Sequence, residues 1–123
     1  MSCPFCTGID NRSVASNDYA HVIFDGFPVT VHHSLIIPKR HVADYFDLTD
    51  KELKAIQSLM SEHKSYLQKI DPSIKGFNIG VNVGSDAGQT VFHCHIHLIP
   101  RRHADVEDPR GGVRGVIPSK QRY

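Results

Sequence analysis

The segment Val91–Arg101 reads VFHCHIHLIPR, in which histidines and apolar residues alternate. Because an extended strand sends successive side chains to opposite faces, this alternation predicts a strand whose histidines share one face: His93, His95 and His97. The neighbouring imidazoles would lie roughly 6.5 Å apart. Four apolar side chains would form the other face: Phe92, Cys94, Ile96 and Leu98. A lone surface histidine is usually only solvated, whereas three with a period of two indicate a chemical role.

A long helix is predicted between residues 49 and 71, where the apolar period changes from two to three or four. Its apolar face would carry these residues: Leu53, Ile56, Met60, His63, Leu67 and Ile70. Thr49 and Glu52 have the spacing of a capping box, in which each side chain accepts a hydrogen bond from the other residue's backbone N–H. Asp71 and Pro72 would end the helix.

Strand-forming segments lie on both sides of this helix. Tyr19–Asp25 and Ser34–Pro38 precede it, and the alternating stretch FNIGVNVG, residues 77–84, follows it. Without an alternating βαβ order, this arrangement predicts an α+β domain with a mostly antiparallel sheet. The helix would cover one face of the sheet and the histidine row the other. The tail 103–123, rich in glycine and proline, is expected to be irregular.

The composition predicts one domain spanning residues 1–123 and a small ligand. Fourteen Lys and Arg residues against thirteen Asp and Glu residues give a formal charge of +1, so a broad basic surface for duplex nucleic acid or a membrane is not expected. A small anion is compatible with this balance. The nine histidines are unusually many, and imidazole acts near pH 7 as nucleophile, metal ligand or proton carrier.

The first residues, MSCPFCTGID, have neither the charge nor the apolar pattern of a targeting peptide. We therefore expect the mature chain to begin here. No apolar run reaches the roughly eighteen residues of a membrane helix. Three cysteines without a secretory signal favour thiols in a reducing, cytoplasmic compartment. The pair Cys3 and Cys6 is, by spacing alone, compatible with zinc, with redox chemistry or with chance.

A turn of small and polar residues precedes the histidine strand: Gly84, Ser85, Gly88, Gln89 and Thr90. Such residues let the backbone turn tightly and present N–H groups to an anion. Turns have this composition for geometric reasons as well. Beside a row of histidines, however, the composition favours a phosphate ligand.

The stretch QTVFHCHIHLIP, residues 89–100, resembles the signature of the histidine-triad (HIT) family, His-φ-His-φ-His-φ-φ, where φ is apolar. The similarity continues upstream through FDGFPVTVHHSLIIPKRHV, residues 24–42, and NIGVNVGSDAGQT, residues 78–90, and covers most of residues 19–102. The resemblance implies a nucleotide-binding α+β fold with a mostly antiparallel five-stranded sheet, one long helix and one short helix. It also implies a homodimer whose sheets join, and hydrolysis or transfer at the α-phosphate of a nucleotide.

Family roles transfer to the matching positions of this chain. His95 would attack the α-phosphorus and form a covalent nucleotidyl-imidazole intermediate, which neutral imidazole can do near pH 7. His97 would contact phosphate oxygens and help to protonate the leaving group, and His33 matches the fourth family histidine. Asp25 matches a ribose-contacting position. The loop positions expected to contact phosphate or the scissile region are Asn82, Gly88, Gln89 and Thr90.

The resemblance also implies zinc, as in the zinc-containing bacterial members of the family. Some relatives hold a structural zinc ion with ligands that correspond here to Cys3, Cys6, His41 and His93. Two thiolates and two imidazoles make a closed tetrahedral site without a position for catalytic water. This metal would tie the N-terminal segment 1–8 to the sheet.

Two positions depart from the family pattern. His32 stands where a glycine is common, so the backbone before His33 is expected to differ. Gly26 stands where an apolar side chain often packs on the nucleobase. Three aromatic residues could supply that packing instead: Phe5, Phe24 or Phe27.

The leading hypothesis is a nucleotide hydrolase that acts on a diadenosine polyphosphate or a related AMP ester, with AMP-like purine nucleotides as ligands. A nucleoside phosphoramidase, which releases AMP from an amine, is the alternative, because both reactions use the same nucleophile and intermediate. Two other classes remain open: a nucleotide-binding module in which the triad only binds, and a zinc-dependent regulatory module. Replacing His95 with alanine separates these classes, since neither module needs a nucleophile.

Overall fold

The computed structural model describes residues 3–123, and its centre is a five-stranded sheet in which every neighbouring pair of strands is antiparallel. The strands are β1 (Ala15–Ser16), β2 (Ala20–Phe24), β3 (Ser34–Pro38), β4 (Ile74–Val81) and β5 (Ile96–Arg102). Their order across the sheet is β1-β2-β3-β5-β4. A short helix α1 (Ile9–Arg12) precedes β1, and a long helix α2 (Asp50–Ile70) lies between β3 and β4 in the sequence. The predicted α+β class is confirmed.

Helix α2 begins at a complete capping box. The Thr49 hydroxyl accepts the Glu52 N–H at 3.1 Å, and the Glu52 carboxylate accepts the Thr49 N–H at 2.9 Å. Arg40 donates to both oxygens of this carboxylate, at 2.8 and 3.1 Å. The hydrogen bond from Arg40 is the main reason why the pKa of buried Glu52 lies below its usual range. The helix ends at Ile70, with Asp71 as its C-cap, as predicted.

The sheet separates two apolar clusters. One cluster fills the space between the sheet and α2 and includes Val22, Ile36, Leu59, Leu67 and Leu98. The other lies under the N-terminal segment and consists of Phe5, Ile9, Ile23, Leu35 and Ile37. His97 pairs with Leu35 across the β3–β5 ladder, and directly paired residues point to the same face of a sheet. His97 therefore lies on the face opposite to α2, as predicted.

The triad histidines do not all lie on a regular strand, which corrects the predicted strand. β5 begins only at Ile96, and residues 91–95 approach it through bends and irregular backbone. The Cys94 N–H donates to the Val42 carbonyl at 2.6 Å, because this approach meets the loop after β3 instead of a neighbouring strand. The apolar residues of the segment are buried as predicted, except that Phe92 is 49% exposed.

Strand β4 lies at an edge of the sheet. Phe77 and Val81 pack against the cluster beneath α2, as their alternation predicts. Ile79, however, is 52% exposed, because the edge of the sheet leaves it uncovered by the rest of residues 3–123. Ile70 at the end of α2 is also exposed, in contrast to its predicted place on the buried helix face.

The tail after β5 forms two short 3₁₀ turns, Gly112–Val116 and Pro118–Lys120. Arg101 and Arg102 hold its start through ion pairs with Asp105 and Asp71, at 2.8 and 2.7 Å. Within residues 3–123, no helix has the length and apolar character required to cross a bilayer.

Candidate active site

A cavity of about 390 Å³ contains most of the predicted catalytic and substrate-binding residues. Six of them line it: Asp25, Asn82, Gly88, Thr90, His95 and His97. Asp25 immediately follows β2, Asn82 immediately follows β4, and His97 belongs to β5. The antiparallel sheet therefore brings together residues from distant parts of the sequence.

His95 is oriented by the backbone of its own segment. Its Nδ1 lies 2.8 Å from the carbonyl oxygen of His93. Since a carbonyl only accepts, the neutral His95 ring carries its proton on Nδ1 and keeps a lone pair on Nε2. The Phe5 ring lies edge-on at a centroid distance of 5.0 Å. His95 thus borders the cavity with a fixed ring and one nitrogen available as a nucleophile.

Behind His95, two imidazoles form a directed hydrogen-bond chain. The Val29 N–H donates to Nδ1 of His33 at 3.0 Å, so the proton of His33 resides on Nε2. This Nε2 donates to Nδ1 of His97 at 2.9 Å, which leaves the proton of His97 on its own Nε2. The Asp25 carboxylate lies 3.5 Å from His33 Nε2. Neutral His97 therefore reaches the cavity as a hydrogen-bond donor.

Burial keeps this pair uncharged near neutral pH. His33 is 2% exposed, and burial lowers the pKa of His33 below its ordinary value of 6.5, with the Asp25 charge acting in the opposite direction. Burial also lowers the pKa of His97, and the neighbouring imidazoles of His33 and His95 lower it further. The neutral forms required by the hydrogen-bond chain thus prevail at pH 7.

The predicted loop residues divide into two groups. Asn82, Gly88 and Thr90 line the cavity, and Gly88 has φ of +96°, a left-handed conformation that favours glycine. Gln89 is 5% exposed and is absent from the cavity wall. Its side chain accepts the Gly84 N–H at 2.9 Å and donates to the carbonyls at positions 43 and 91, at 2.9 and 3.2 Å. The structure therefore places Gln89 as a brace of the loop.

Some wall residues were not identified from the sequence. Arg12 of α1 lines the cavity, and its Nη2 lies 4.0 Å from where a Cβ at position 26 would stand. No sequence signal indicates this approach, because it depends on how α1 packs near the loop after β2. Phe5 and Phe27 line the cavity, as two of the expected aromatic candidates. Phe24 instead packs beside other histidines, away from the cavity wall.

A second cluster brings together the four predicted metal ligands: Cys3, Cys6, His41 and His93. Their donor atoms all lie within 4.8 Å of one another. Cys6 and Thr7 both donate their N–H groups to the Cys3 carbonyl, at 3.1 and 3.0 Å, so a tight turn places the two thiols side by side. The N–H of His93 at Nε2 donates to the Pro38 carbonyl at 2.8 Å. The Nδ1 lone pair of His93 therefore points toward the cluster.

The spacing of these donors fits a tetrahedral ion. Bond lengths of about 2.3 Å to sulfur and about 2.0 Å to nitrogen place neighbouring donors roughly 3.3 to 3.8 Å apart around zinc. Four of the six separations are 3.2 Å between Cys6 and His41, 3.4 and 3.5 Å from the two sulfurs to His93, and 3.2 Å between the two imidazoles. Burial lowers the pKa of His93, which keeps it in the neutral form that a metal requires. The cluster is compatible with zinc.

With this geometry established, comparison with known proteins identifies the class. The family model of the HIT domain matches residues 7–104, and the chain belongs to the HIT family. A HIT-like protein of 16.1 kDa from Mycoplasma pneumoniae is 38% identical over 105 residues, which cover 81% of this chain and 72% of that protein.

Two further relatives bear on activity and metal. The asymmetrical bis(5'-nucleosyl)-tetraphosphatase of Schizosaccharomyces pombe is 40% identical over 81 residues, or 66% of this chain and 44% of the yeast protein. A zinc-bound histidine-triad family protein from Mycobacterium smegmatis has a TM-score of 0.78 and 30% identity, over 88% of this chain and 81% of that one. The family includes nucleotide hydrolases, and its fold is the one described above.

Proposed function

We propose that this protein is a nucleotide hydrolase that cleaves its substrate at the α-phosphate through a covalent intermediate on His95. One observation carries the proposal. The hydrogen bond from His95 Nδ1 to the His93 carbonyl leaves Nε2 as a free lone pair on a ring that borders the cavity. A binding module would not require an imidazole held in the tautomer that a nucleophile needs.

In the first step, the lone pair of His95 Nε2 attacks the α-phosphorus. A nitrogen–phosphorus bond forms, and the bond from phosphorus to the leaving oxygen breaks with its electron pair. The His93 carbonyl accepts from Nδ1 and stabilises the positive charge that develops on the ring. His97 donates a hydrogen bond from Nε2 to the leaving oxygen or to the phosphate, and His33 maintains the tautomer of His97 that makes this donation possible.

In the second step, water attacks the phosphorus of the nucleotidyl-histidine. The nitrogen–phosphorus bond breaks, its electron pair returns to Nε2, and the water proton passes to solvent. The products are a nucleoside monophosphate and the remaining nucleoside polyphosphate. Asp25, 16% exposed in the cavity wall, is placed where a carboxylate could accept from ribose hydroxyls. Asn82, Gly88 and Thr90 would contact the phosphates.

The state of His97 favours an anhydride substrate of the diadenosine polyphosphate type. A polyphosphate leaves as a stable anion and needs only a hydrogen bond, whereas an amine needs a full proton. Because burial lowers the pKa of His97, its imidazole is neutral at pH 7. The neutral ring can donate a hydrogen bond from Nε2, but it cannot transfer a full proton to the leaving group. The similarity to the yeast tetraphosphatase supports the same choice. Nucleoside phosphoramidate cleavage is the second candidate, because it shares the His95 nucleophile.

We propose that Cys3, Cys6, His41 and His93 hold a structural zinc ion. The donor set and its spacing support this assignment. Zinc bound there would cross-link the N-terminal turn to the segment that carries His95, with all four coordination positions taken by protein. Metal analysis of protein purified without added metal should find one zinc per chain. Protein without bound metal, in which Cys3 and Cys6 react freely with thiol reagents, would contradict the assignment.

We also propose that the protein is a homodimer joined through β4. This strand is an edge of the sheet, and a groove beside it is mostly apolar: Tyr45, Leu53, Ile56, Met60, Ile79 and Val81. Sedimentation analysis should find a dimer for the wild type and a monomer for Ile79→Lys. A monomeric wild type would contradict this proposal.

We propose a reducing, cytoplasmic location, because Cys3, Cys6 and Cys94 form no disulfide with one another. The cavity of about 390 Å³ suits a small-molecule nucleotide as partner and no duplex nucleic acid or membrane. Fractionation of native cells, with detection by an antibody, should find the protein in the cytoplasmic fraction. Enrichment with membranes or in the secreted fraction would contradict the location.

The reaction is tested by separating the products after incubation with diadenosine tetraphosphate and, separately, with adenosine phosphoramidate. We expect wild-type protein to release AMP and His95→Ala to release none. His103→Ala is the matched control, because His103 is an exposed histidine of the tail that lies outside the active-site cavity, and it should act like the wild type. The faster substrate identifies the leaving group. Equal activity of wild type and His95→Ala would overturn the proposal.

A further inference from the structure

We propose that His63 of helix α2 is a positioning residue for the His33–His97 pair, acting through the Ser34 hydroxyl and the peptide bond before His33. His63 lies on the side of the sheet opposite to the cavity and has no part in the chemistry proposed above. It nevertheless connects to the site through two hydrogen bonds and the peptide bond between His32 and His33. The inference rests on the proposed function for its activity readout, but not for its structural one.

The directions of these hydrogen bonds are fixed by the groups that take part. The Ser34 hydroxyl lies 2.8 Å from the His32 carbonyl oxygen and 2.8 Å from His63 Nε2. The carbonyl can only accept, so the single hydroxyl proton of Ser34 goes to it. His63 Nε2 must then be the donor to the hydroxyl oxygen. His63 thus determines where the hydroxyl of Ser34 points.

The peptide unit between His32 and His33 is held at both ends. Its carbonyl accepts from Ser34, and its N–H donates to the Thr30 carbonyl at 3.1 Å. His32 has φ of +73°, a left-handed conformation that is unfavourable for a residue with a side chain and persists only where its surroundings hold it. Loss of the Ser34 contact would free this strained turn. The residue displaced first would be His33, whose ring contacts His97 at 2.9 Å.

The three side chains of this relay are shielded from water. His33 and Ser34 are 2% and 0% exposed, and His63 is 3% exposed. The His63 ring lies between Phe24 and Tyr66, at centroid distances of 5.9 and 6.0 Å. Water therefore has little access to replace a lost partner, and removal of the His63 donor leaves the hydroxyl of Ser34 free to turn.

A buried histidine needs a hydrogen-bond partner whatever its function, and the chain contains a matched example without access to the site. His21 is 8% exposed and donates from Nδ1 to the Ser13 hydroxyl at 2.9 Å. Ser13 in turn donates to the Ala15 carbonyl at 3.0 Å. This second relay has the same order of groups, but it ends in β1 and not at His33. Comparison of the two relays separates positioning from general stability.

The test compares His63→Phe with His21→Phe, because both changes keep a buried ring and remove its donor. Ser34→Ala interrupts the first relay with a smaller change, and His63→Gln restores a donor. For each folded variant, nitrogen-15 NMR of the imidazoles reports the tautomers of His33 and His97. Kinetics with diadenosine tetraphosphate separate kcat from KM. The NMR measurement needs no substrate, so failure of the relay is distinguishable from failure of the proposed hydrolase.

We expect His63→Phe and Ser34→Ala to mix the tautomers of His33 and His97 and to lower kcat on the order of tenfold, with little change in KM. His63→Gln should recover most of kcat, and His21→Phe should leave both the tautomers and kcat as in the wild type. Unchanged tautomers in both His63→Phe and Ser34→Ala would overturn the inference. Equal effects of His63→Phe and His21→Phe on the tautomers would overturn it as well.

Discussion

His93 and His95 are two residues apart, yet their free lone pairs lie on different ring nitrogens. His93 donates from Nε2 to the Pro38 carbonyl and directs its Nδ1 lone pair toward the thiols of Cys3 and Cys6. His95 donates from Nδ1 to the His93 carbonyl and keeps its lone pair on Nε2 at the cavity. One backbone carbonyl in each case selects the tautomer.

Residue type alone therefore does not determine what a histidine can do in this segment. The partner of the other ring nitrogen determines it. His93 is fully buried among donors that suit a metal, whereas His95 is partly exposed to a cavity that suits a phosphate. The proposed metal site and the proposed active site would therefore share one short segment, and variants should affect them separately.

The largest difference between the effect on activity and the effect on metal binding is expected for His95→Ala. This change removes the nucleophile, so we expect kcat/KM to fall on the order of a million-fold. Zinc content and the unfolding temperature should stay as in the wild type, because His95 makes no contact with the thiols. Activity assays, metal analysis and thermal unfolding check these outcomes. A loss of zinc together with activity would show that the two clusters are not separable.

The opposite pattern, in which metal binding is lost and activity falls much less, is expected for Cys6→Ser. A structural zinc ion contributes directly to folding free energy, so we expect loss of bound metal and a fall in unfolding temperature of roughly 10 °C or more. Activity should fall much less than in His95→Ala when it is measured on folded protein. Cys94→Ala is the matched control, because this buried thiol lies outside the metal cluster and its loss should leave zinc bound. Retention of zinc by Cys6→Ser would break the comparison.

His63 is buried and belongs neither to the metal cluster nor to the active-site cavity. Its titration should affect the pH dependence of stability. Burial is the main cause that lowers the pKa of His63 to about 4 from 6.5. Between these values the unfolded chain binds more protons, so the free energy of unfolding falls as pH is lowered through this window, by up to about 3 kcal/mol.

Urea unfolding at pH 7 and at pH 4.5 measures this effect. The wild type should lose more stability between the two conditions than His63→Phe does, because the variant has no imidazole to protonate at this position. Leu59→Ala serves as a control, because it disturbs the same buried face of α2 without changing a titratable group, and it should keep the pH dependence of the wild type. Equal slopes for the wild type and His63→Phe would contradict the assignment of this titration to His63.

The smallest effect is expected for Thr49→Ala, which removes the N-cap of α2. Loss of such a cap costs about 1 kcal/mol of stability. Thr49 belongs neither to the cavity wall nor to the metal cluster, so zinc content and kcat should stay unchanged. Chemical unfolding and kinetics check this outcome, which shows how much of any other variant's effect is general loss of stability. A changed kcat would show that activity depends on overall stability.

Local patterns predicted much of this molecule. The capping box at Thr49 and Glu52 and the end of α2 at Asp71 depend on hydrogen bonds between neighbours in sequence, so they could be read directly. The segment Ser34–Pro38 also forms a strand with the predicted bounds. The metal cluster was predicted through resemblance to the family, because the spacing of Cys3 and Cys6 alone left redox chemistry and chance open.

Tertiary contacts that the family resemblance does not imply were not predicted. Arg12 reaches the cavity because of the packing of α1, and β5 starts late because Cys94 pairs with the loop at Val42. His63 was placed on the buried face of α2, but its hydrogen bond to Ser34 joins segments that no periodicity relates. Alternation specifies which face a side chain takes, whereas it does not specify the partner that the side chain meets there.

The covalent bond proposed between His95 Nε2 and the α-phosphorus can be detected directly. Wild-type protein is mixed with diadenosine tetraphosphate, stopped within one turnover under alkaline conditions that preserve a phosphoramidate, and digested for mass spectrometry. We predict that the peptide containing His95 is heavier by one AMP group, and that no peptide of His95→Ala carries this addition. Release of AMP at the full rate without any adduct, or with the adduct on another histidine, would contradict the account.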